Sequence, residues 1–358
     1  MKKLKLIVSD FHLGRGRILP NGTLNYLEDF FYDDRFIEFL KYHTEGDFEG
    51  AEIELIINGD FFNHLQVDIH DPTPDIIDEQ AALLRTRQIL QGHPDLFEAL
   101  RRFIAHPLRS LTFNLGNHDP GLLFPAVHRL LKEALGDKVR VLIDPYVFDG
   151  VHVEHGNQYF ADNAYNRRRY FLSKDLPAPV INLPWGSYFV IHYINKVKKE
   201  RPYFDKIYPL KFYFRWALIH DTMFAVRSIA KIIFYFISLR FRRDPHRRSS
   251  FLRTLQILKQ VTVSPRLHLE AKKLLLSERD IHIVVFGHSH HAVIRQYAPG
   301  KTYINSGLWN EQLSLDISNM GRLVRLTYAQ LDYVENGKIV PSLKQWKGAH
   351  HMVDEIYE

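Results

Sequence analysis

The sequence predicts a layered α/β fold, and three features of it do so. Short apolar, β-branched runs recur along the chain, each run ends in a cluster of Gly, Asp, Asn and His, and helical patterns lie between them. Continuous apolar runs of this length suit strands buried on both faces. Strand, polar loop and helix in repetition indicate a layered sheet protein whose ligands bind beyond the strand ends.

The elements follow in order. Leu6-Ile7-Val8, Ile53-Glu54-Leu55-Ile56-Ile57, Leu111-Thr112-Phe113-Asn114-Leu115, Val151-His152-Val153-Glu154 and Ile281-His282-Ile283-Val284-Val285-Phe286 are the expected strands. Phe36-Ile37-Glu38-Phe39-Leu40 and the run from Leu122 to Leu131 are spaced as helices. From about Ala164 to Asp280 the strand-plus-glycine rhythm stops, and aromatic, aliphatic and basic residues alternate at helical spacing. The expectation is therefore a core in two parts, 1–163 and 281–358, interrupted by a helical insertion over 164–280 that forms a lid. After it, β-rich sequence continues through Tyr303, Leu323-Val324-Arg325-Leu326 and Tyr333-Val334.

Composition narrows the function. A chain of 358 residues with 46% hydrophobic and 25% charged residues buries a full core and is not disordered. It has no cysteine, so thiolate metal sites and disulfides are excluded, and any metal must sit on nitrogen and oxygen. The start, Met1-Lys2-Lys3-Leu4-Lys5-Leu6-Ile7-Val8, carries too short an apolar run for a signal peptide and reads as a first strand. No stretch reaches the roughly 18 apolar residues of a membrane span. The expected location is the cytoplasm, with any membrane contact peripheral. A net charge of +6 favours an anionic partner such as nucleic acid, phospholipid headgroups or a phosphorylated substrate.

Five blocks carry the chemistry, each just past an expected strand: Asp10-Phe11-His12, Gly59-Asp60, Gly116-Asn117-His118-Asp119, His155-Gly156 and Gly287-His288-Ser289-His290. Their side chains are the hard and borderline donors that hold Mn, Fe, Zn or Mg. Two metals about 3.5–4 Å apart need a bridging carboxylate and several outer ligands. Asp-X-His can offer both side chains to one metal, because alternate residues of an extended segment point the same way. Singly, each block could be a turn; five in this order, each after a strand, are hard to attribute to turns.

The series Asp-X-His, Gly-Asp, Gly-Asn-His-Asp, His-Gly and Gly-His-X-His resembles the calcineurin-like metallophosphoesterases. The resemblance covers roughly residues 1–160 and 281–310. It implies an αββα sandwich and two divalent metal ions, with manganese the leading candidate and iron, zinc or magnesium the alternatives. By the same resemblance Asp10, His12 and His290 would bind the first metal, Asp60 would bridge, and Asn117, His155 and His288 would bind the second. His118 would stabilise the phosphoryl transition state or protonate the leaving oxygen, and Asp119 would orient it. Asn305-Ser306-Gly307 resembles the family's closing turn. The activity implied is hydrolysis of a phosphoester by a metal-activated water.

The insertion bears on substrate. His155-Gly156-Asn157-Gln158, running on to Asp162-Asn163-Ala164-Tyr165-Asn166-Arg167-Arg168-Arg169-Tyr170, resembles the segment after the His-Gly block in the UDP-2,3-diacylglucosamine pyrophosphatases of lipid A synthesis. Tyr165, Arg167 and Arg169 are accordingly candidates to hold a nucleotide or diphosphate, and Arg15 and Arg17, past the first block, to hold phosphate. The sequence departs from that subfamily: His118 stands where those enzymes commonly carry Arg, and the stretch between His155 and His288 is longer. Lys196, Lys198, Lys199 and Arg201 form an expected basic patch. Ile232 to Leu239, followed by Arg240-Phe241-Arg242-Arg243 and Arg247-Arg248, suits an interfacial helix on anionic lipid, or alternatively the core of a helical cap. His64 and His70 are expected on a surface loop near the metals.

Two rival readings remain. Asp10-Phe11-His12-Leu13-Gly14 and Gly-Asn-His-Asp are also similar to the superfamily's DNA repair exonucleases, which would make nucleic acid the partner. A non-catalytic scaffold using its basic helical surface is the other.

Overall fold

The structure, a computed structural model, describes residues 2–69, 73–208, 210–240, 257, 266–315, 321–349 and 354–355. β1 (Lys3–Val8), β2 (Glu52–Asn58), β3 (Arg109–Asn114) and β4 (Val139–Leu142) run parallel, joined through α1 (Asp33–Tyr42), α2 (Glu79–Gly92), α3 (Pro94–Ala105) and α4 (Pro125–Leu135). β5 (Tyr146–Phe148) and β6 (Val151–Val153) then start a second sheet. β7 (Phe171–Leu172) pairs with β8 (Val180–Ile181) in a small hairpin. A continuous helical stretch runs from Trp185 to Lys198, and β9 (Ile207–Tyr208) leads into α5 (Leu210–His220), α6 (Thr222–Arg240) and, later, α7 (Leu267–Ser277).

β10 (Ile283–Phe286), β11 (Val293–Ala298) and β12 (Lys301–Asn305) complete the second sheet, in the order β11-β12-β10-β6-β5. β13 (Glu311–Ser314) and β14 (Gly321–Val324) form a three-stranded sheet with β9. β15 (Leu326–Tyr333), β16 (Ile339–Trp346) and β17 (Asp354–Glu355) rejoin the first sheet, whose order is β17-β16-β15-β1-β2-β3-β4, with β15 antiparallel to β1.

The two sheets pack face to face. Ile7, Ile56, Ala329 and Leu331 of the first sheet meet Val151, Val153, Val285 and Ile304 of the second in one buried cluster. The outer face of the first sheet packs against α1 to α4 through Leu6, Leu55, Leu111, Phe36, Leu100 and Leu131. The outer face of the second is covered by α7 through Leu267, Ala271 and Leu275 against Val284, Phe286 and Tyr303. This is an αββα sandwich, and it explains the runs without polar alternation: β1, β2 and β10 have both faces covered.

Two expectations are corrected. The helix expected from Leu122 begins at Pro125, and Pro120–Leu123 is a separate 3₁₀ turn. Pro125 sits at the first helical position, where its missing N–H costs nothing, and it forces Phe124 into extended backbone (ψ 124°). Residues 164–280 are not wholly helical, since β7, β8 and β9 lie among them. α7, within the same interval, serves as the outer layer of the second sheet.

A buried ionic cluster ties this interval to the core. Lys198, fully buried, donates to both oxygens of Asp29 at 2.7 and 2.6 Å and to Asp205 at 2.8 Å. Lys206 donates to Glu311 at 3.0 Å and to the Asp29 carbonyl at 2.8 Å. Lys198 is therefore removed from the expected basic patch, and Arg201 is paired with Asp221. The partner of Lys198 lies 169 residues away in sequence, beyond any local reading.

Buried His93, between α2 and α3, lies 2.7 Å from Asp33 and 3.5 Å from Glu28. Burial opposes its charge, but Asp33 and Glu28 outweigh burial and raise its pKa to about 9. A raised pKa means that the contribution is complete below the unfolded value near 6.5 and is lost as pH rises through about 9. Urea unfolding is expected to show stability falling across that window, by at most about 1.4 kcal/mol per pH unit from this group. His93→Gln should flatten the slope; an unchanged slope would remove His93 as its source.

Candidate metal centre

The blocks converge because of strand direction. Asp10, Asp60 and Asn117 follow parallel β1, β2 and β3, and His155 and His288 follow parallel β6 and β10, so all five loops emerge at the same edge of the sandwich. The first loop is zipped to the second: the N–H groups of Phe11 and His12 both donate to the Asp60 carbonyl at 2.9 Å, and Leu13 N–H donates to Phe61 at 2.8 Å. Phe11 points the other way, fully buried between Phe30, Phe36 and Phe61 and stacked on Trp309.

Three groups of side chains bring their ligand atoms within 4.8 Å of one another: Asp10 with His12 and His290, Asp60 with His155 and His288, and His12 with Asp60 and His118. Asp60 and His12 each join two groups. His290 Nε2 lies 3.2 Å from Asp10 Oδ1, and His155 Nε2 lies 3.1 Å from Asp60 Oδ2. Asp10, Asp60, Asn117, Asp119 and His155 are buried, whereas His118, His288 and His290 are half-buried, so the centre opens on that side.

Backbone and close approach show how tightly the loops are built. Asp10, His12, Asp60, His288 and His290 all have φ between 51° and 64°, a left-handed conformation costly for non-glycine residues. A Cβ on Gly116 would stand 2.2 Å from Asp60 Oδ1 and 2.3 Å from the Asp60 nitrogen, so only glycine lets the third loop reach the second.

Hydrogen bonds aim the ligands. His155 Nδ1 faces the Asn58 carbonyl at 2.8 Å, which assigns the proton to Nδ1 and leaves Nε2 to turn inward. His288 N–H donates to Asp10 Oδ2 at 3.1 Å, and His118 N–H to Asp60 Oδ1 at 2.8 Å. Asp119 does not touch the His118 ring; its carboxylate accepts from the N–H groups of Asp60, Phe62 and Gly116, and so fixes the loops rather than the imidazole. Asn305 Nδ2 donates to the Gly287 carbonyl at 2.7 Å and its Oδ1 accepts from Gly307, which braces the last block.

The electrostatics suit cations. Burial works against the Asp60 charge, but His155 and His118 hold its pKa well below the usual carboxylate range. Burial and, after it, His118 push the His12 imidazole down to about 3, and burial and His155 do the same to His288. Neutral imidazoles and ionised carboxylates are the states that ligate metals. Asn117 Oδ1 is a buried polar atom without a hydrogen bond, a costly condition that a bound cation relieves. The residues therefore fit a pair of divalent ions.

The expected substrate residues divide. Tyr165 and Arg167 line a recess beside His155, with Asn114, Gln158 and Tyr170; the Tyr165 hydroxyl donates to the Asn117 carbonyl at 3.2 Å, and Arg167 lies 3.7 Å from Glu154. Arg169 is exposed, and Arg15 donates to the Asp68 carbonyl. His64 is fully buried rather than on the surface; it accepts from Gly121 N–H and stacks on Phe62. His70 lies outside the described residues. Asn58, Asn63 and Asn114 are site-supporting residues missed in the sequence, where isolated asparagines give no signal.

Neither a protein-family model nor a curated protein sequence matches the chain. Among solved structures it is similar to a conserved uncharacterized protein of Streptococcus pneumoniae described as a predicted phosphoesterase, at 9% identity, covering 100% of this chain and 99% of that one, with TM-score 0.31. It is similar to Vps29 of Chaetomium thermophilum at 11% identity, covering 99% and 97%, TM-score 0.33. It is also similar to a dimetal phosphatase of Danio rerio at 10% identity, covering 99% and 98%, TM-score 0.38. The chain's own architecture, an αββα sandwich with Asp, His and Asn gathered at one strand edge, has the layers and the motif order that the resemblance to calcineurin-like metallophosphoesterases implies.

Gly116→Ala is expected to cut bound metal sharply, as read by elemental analysis of purified protein, because the methyl group displaces Asp60. Retention of the full metal content would show that the close approach is dispensable.

Proposed function

We propose that the protein is a dinuclear metal-dependent phosphoester hydrolase acting on a phosphodiester or diphosphate. The observation that carries this reading is that Asp60 belongs both to the group with His155 and His288 and to the group with His12, placing one buried carboxylate between two sets of ligands. Asp10, His12 and His290 would hold one ion and Asn117, His155 and His288 the other, with Asp60 between them. Bound there, such a pair, manganese foremost, would supply charge to neutralise phosphate oxygens and to acidify a water.

The chain's own groups do the rest. The buried carboxylates would hold the charge that retains the ions, and the Gly116 and Gly287 turns bring backbone close to Asp60 and Asp10. His118, at the open side, would meet the charge that develops on the leaving oxygen. Tyr165 and Arg167 would bind the remainder of the substrate.

A lipid-linked substrate such as a UDP-diacylglucosamine, taken from an anionic membrane surface, is the reading we favour. What supports it is the α5–α6 hairpin. Tyr213 and Phe224 are buried in its cluster, but Trp216, Ile219, Met223, Val226, Ile233 and Phe234 are exposed, beside exposed Arg215 and Lys231. Exposed apolar residues among cations suit the interface of an anionic bilayer. Among the described residues no helix is long and apolar enough to cross a membrane. The basic run at 241–248 lies outside the described residues.

Purified protein is expected to carry two metals and to cleave a chromogenic phosphodiester with added manganese. Asp60→Ala should lose metal, whereas His118→Ala should keep both ions and lose about 100-fold or more in kcat. Full activity of His118→Ala would remove it from the mechanism, and an inactive, metal-free wild type would favour the scaffold. Binding to anionic vesicles should persist between 50 and 200 mM salt through its apolar part; binding to single-stranded DNA that collapses over that range, without vesicle binding, would favour the nuclease.

A further inference from the structure

A second cleft opens at the edge of the first sheet opposite the metal loops, where β1, β2 and β3 begin. It has a volume of about 270 Å³, and Lys3, Lys5, Glu52, Glu54, Arg109 and Lys138 are among its walls. At about 3.3 Å per residue, the strands separate it by roughly 20 Å from Asp10, Asp60 and Asn117 at their other ends. Its volume is just under the roughly 300–1,000 Å³ of ordinary small-molecule sites, so a ligand here is small.

The walls carry four cations against two carboxylates, and both carboxylates are already engaged. Glu52 pairs with Lys3 at 2.9 Å. Glu54 is shared by Lys5, Arg140 and the Thr112 hydroxyl, the last at 2.6 Å. Burial opposes the Glu54 charge, but Lys5 outweighs burial and holds its pKa below the ordinary carboxylate value.

Lys138 and Arg109 are different: among the described residues their hydrogen-bond partners are backbone carbonyls alone. Lys138 Nζ donates to the Ile104 and His106 carbonyls at 2.9 and 2.5 Å, which pins the ammonium at the C-terminus of α3 and leaves one N–H to spare. Arg109 is 4% exposed. One of its terminal nitrogens donates to the Thr44, Phe48 and Glu49 carbonyls at 3.3, 3.3 and 3.4 Å, and its Nε has no partner. A buried guanidinium without a carboxylate is costly, and an anion beside it reduces that cost. A divalent cation does not suit the cleft, because Glu52 and Glu54 are ion-paired, and a neutral ligand would leave the positive excess unmet.

We propose that this cleft is an accessory binding site for a small phosphate-bearing anion, held by Lys138 and Arg109 with Lys3 and Lys5 beside them. A phosphate group has oxygens enough to accept from several of these donors at once, and charge-assisted bonds of that kind are the strong ones. The site stands on its own charges and does not require the reaction proposed above. If that reaction holds, its phosphorylated product belongs to the same chemical class as the ligand of the cleft.

Equilibrium dialysis of the full-length, metal-loaded protein against inorganic phosphate and, separately, glycerol phosphate reads the number of anions bound per chain. The tighter of the two identifies the source of the phosphate group. Wild type should bind two anions, one at each end of the sheet, and Asp60→Ala should keep the one in the cleft. Lys138→Gln, in either background, should weaken the cleft site about 10-fold or more. Lys138 is exposed, so its variant folds even if Asp60→Ala does not. Failure of the metal reading is told apart by the count: a metal-free wild type would bind a single anion, still weakened in Lys138→Gln. Wild type and Asp60→Ala that bind neither anion at millimolar concentration, or binding that Lys138→Gln leaves unchanged at every site, overturns the proposal.

Discussion

A carboxylate with almost no exposure, Asp60, is the constraint around which the molecule is arranged. Its side chain lies among His12, His118 and His155, its carbonyl receives the first loop, its nitrogen is held by Asp119, and its backbone occupies the left-handed region. A charge in that position costs several kcal/mol unless positive charge meets it. The parallel strands that deliver the loops, the glycine at 116 and the imidazoles around it all serve that one requirement. Strain at five residues of three loops is stored in a scaffold whose sheets are covered on both faces and cannot easily yield.

The sequence revealed the fold and much of the centre because both are written in local patterns. Uninterrupted apolar runs such as Leu6-Ile7-Val8 and Ile283 to Phe286 state that both faces of a strand are covered, and the polar cluster after each marks the edge where loops gather. Other features depend on distant partners and stayed hidden. Lys198 looked like surface charge because Asp29 is 169 residues away, and His64 looked like a loop residue because Phe62, Thr86 and Gly121 enclose it only in three dimensions. Asn63 carried no signal at all. Pro125 is the opposite case, a helix start visible in the sequence and overridden by the apolar run before it.

The motif Gly116-Asn117-His118-Asp119 shows how adjacent residues can serve separate physical ends. Asn117 leaves a buried oxygen unsatisfied beside the ligands, His118 turns to the open side, and Asp119 turns away to gather three backbone N–H groups. The family resemblance implies that Asp119 orients His118. The structure gives that contact to Asn63 instead, because the tight turn throws neighbouring side chains in different directions.

The ionic cluster of Lys198, Lys206, Asp29, Asp205 and Glu311 has an implication for the history of the chain. A segment that arrives late in a protein's evolution usually attaches through solvent-facing contacts that can be trimmed away. Here excision of residues 164–280 would strand Asp29 and Glu311 without their buried cations and would strip α7 from the second sheet. The segment and the sandwich thus share buried charges and a packed layer, so removing either leaves the other with unpaired charges or an uncovered face.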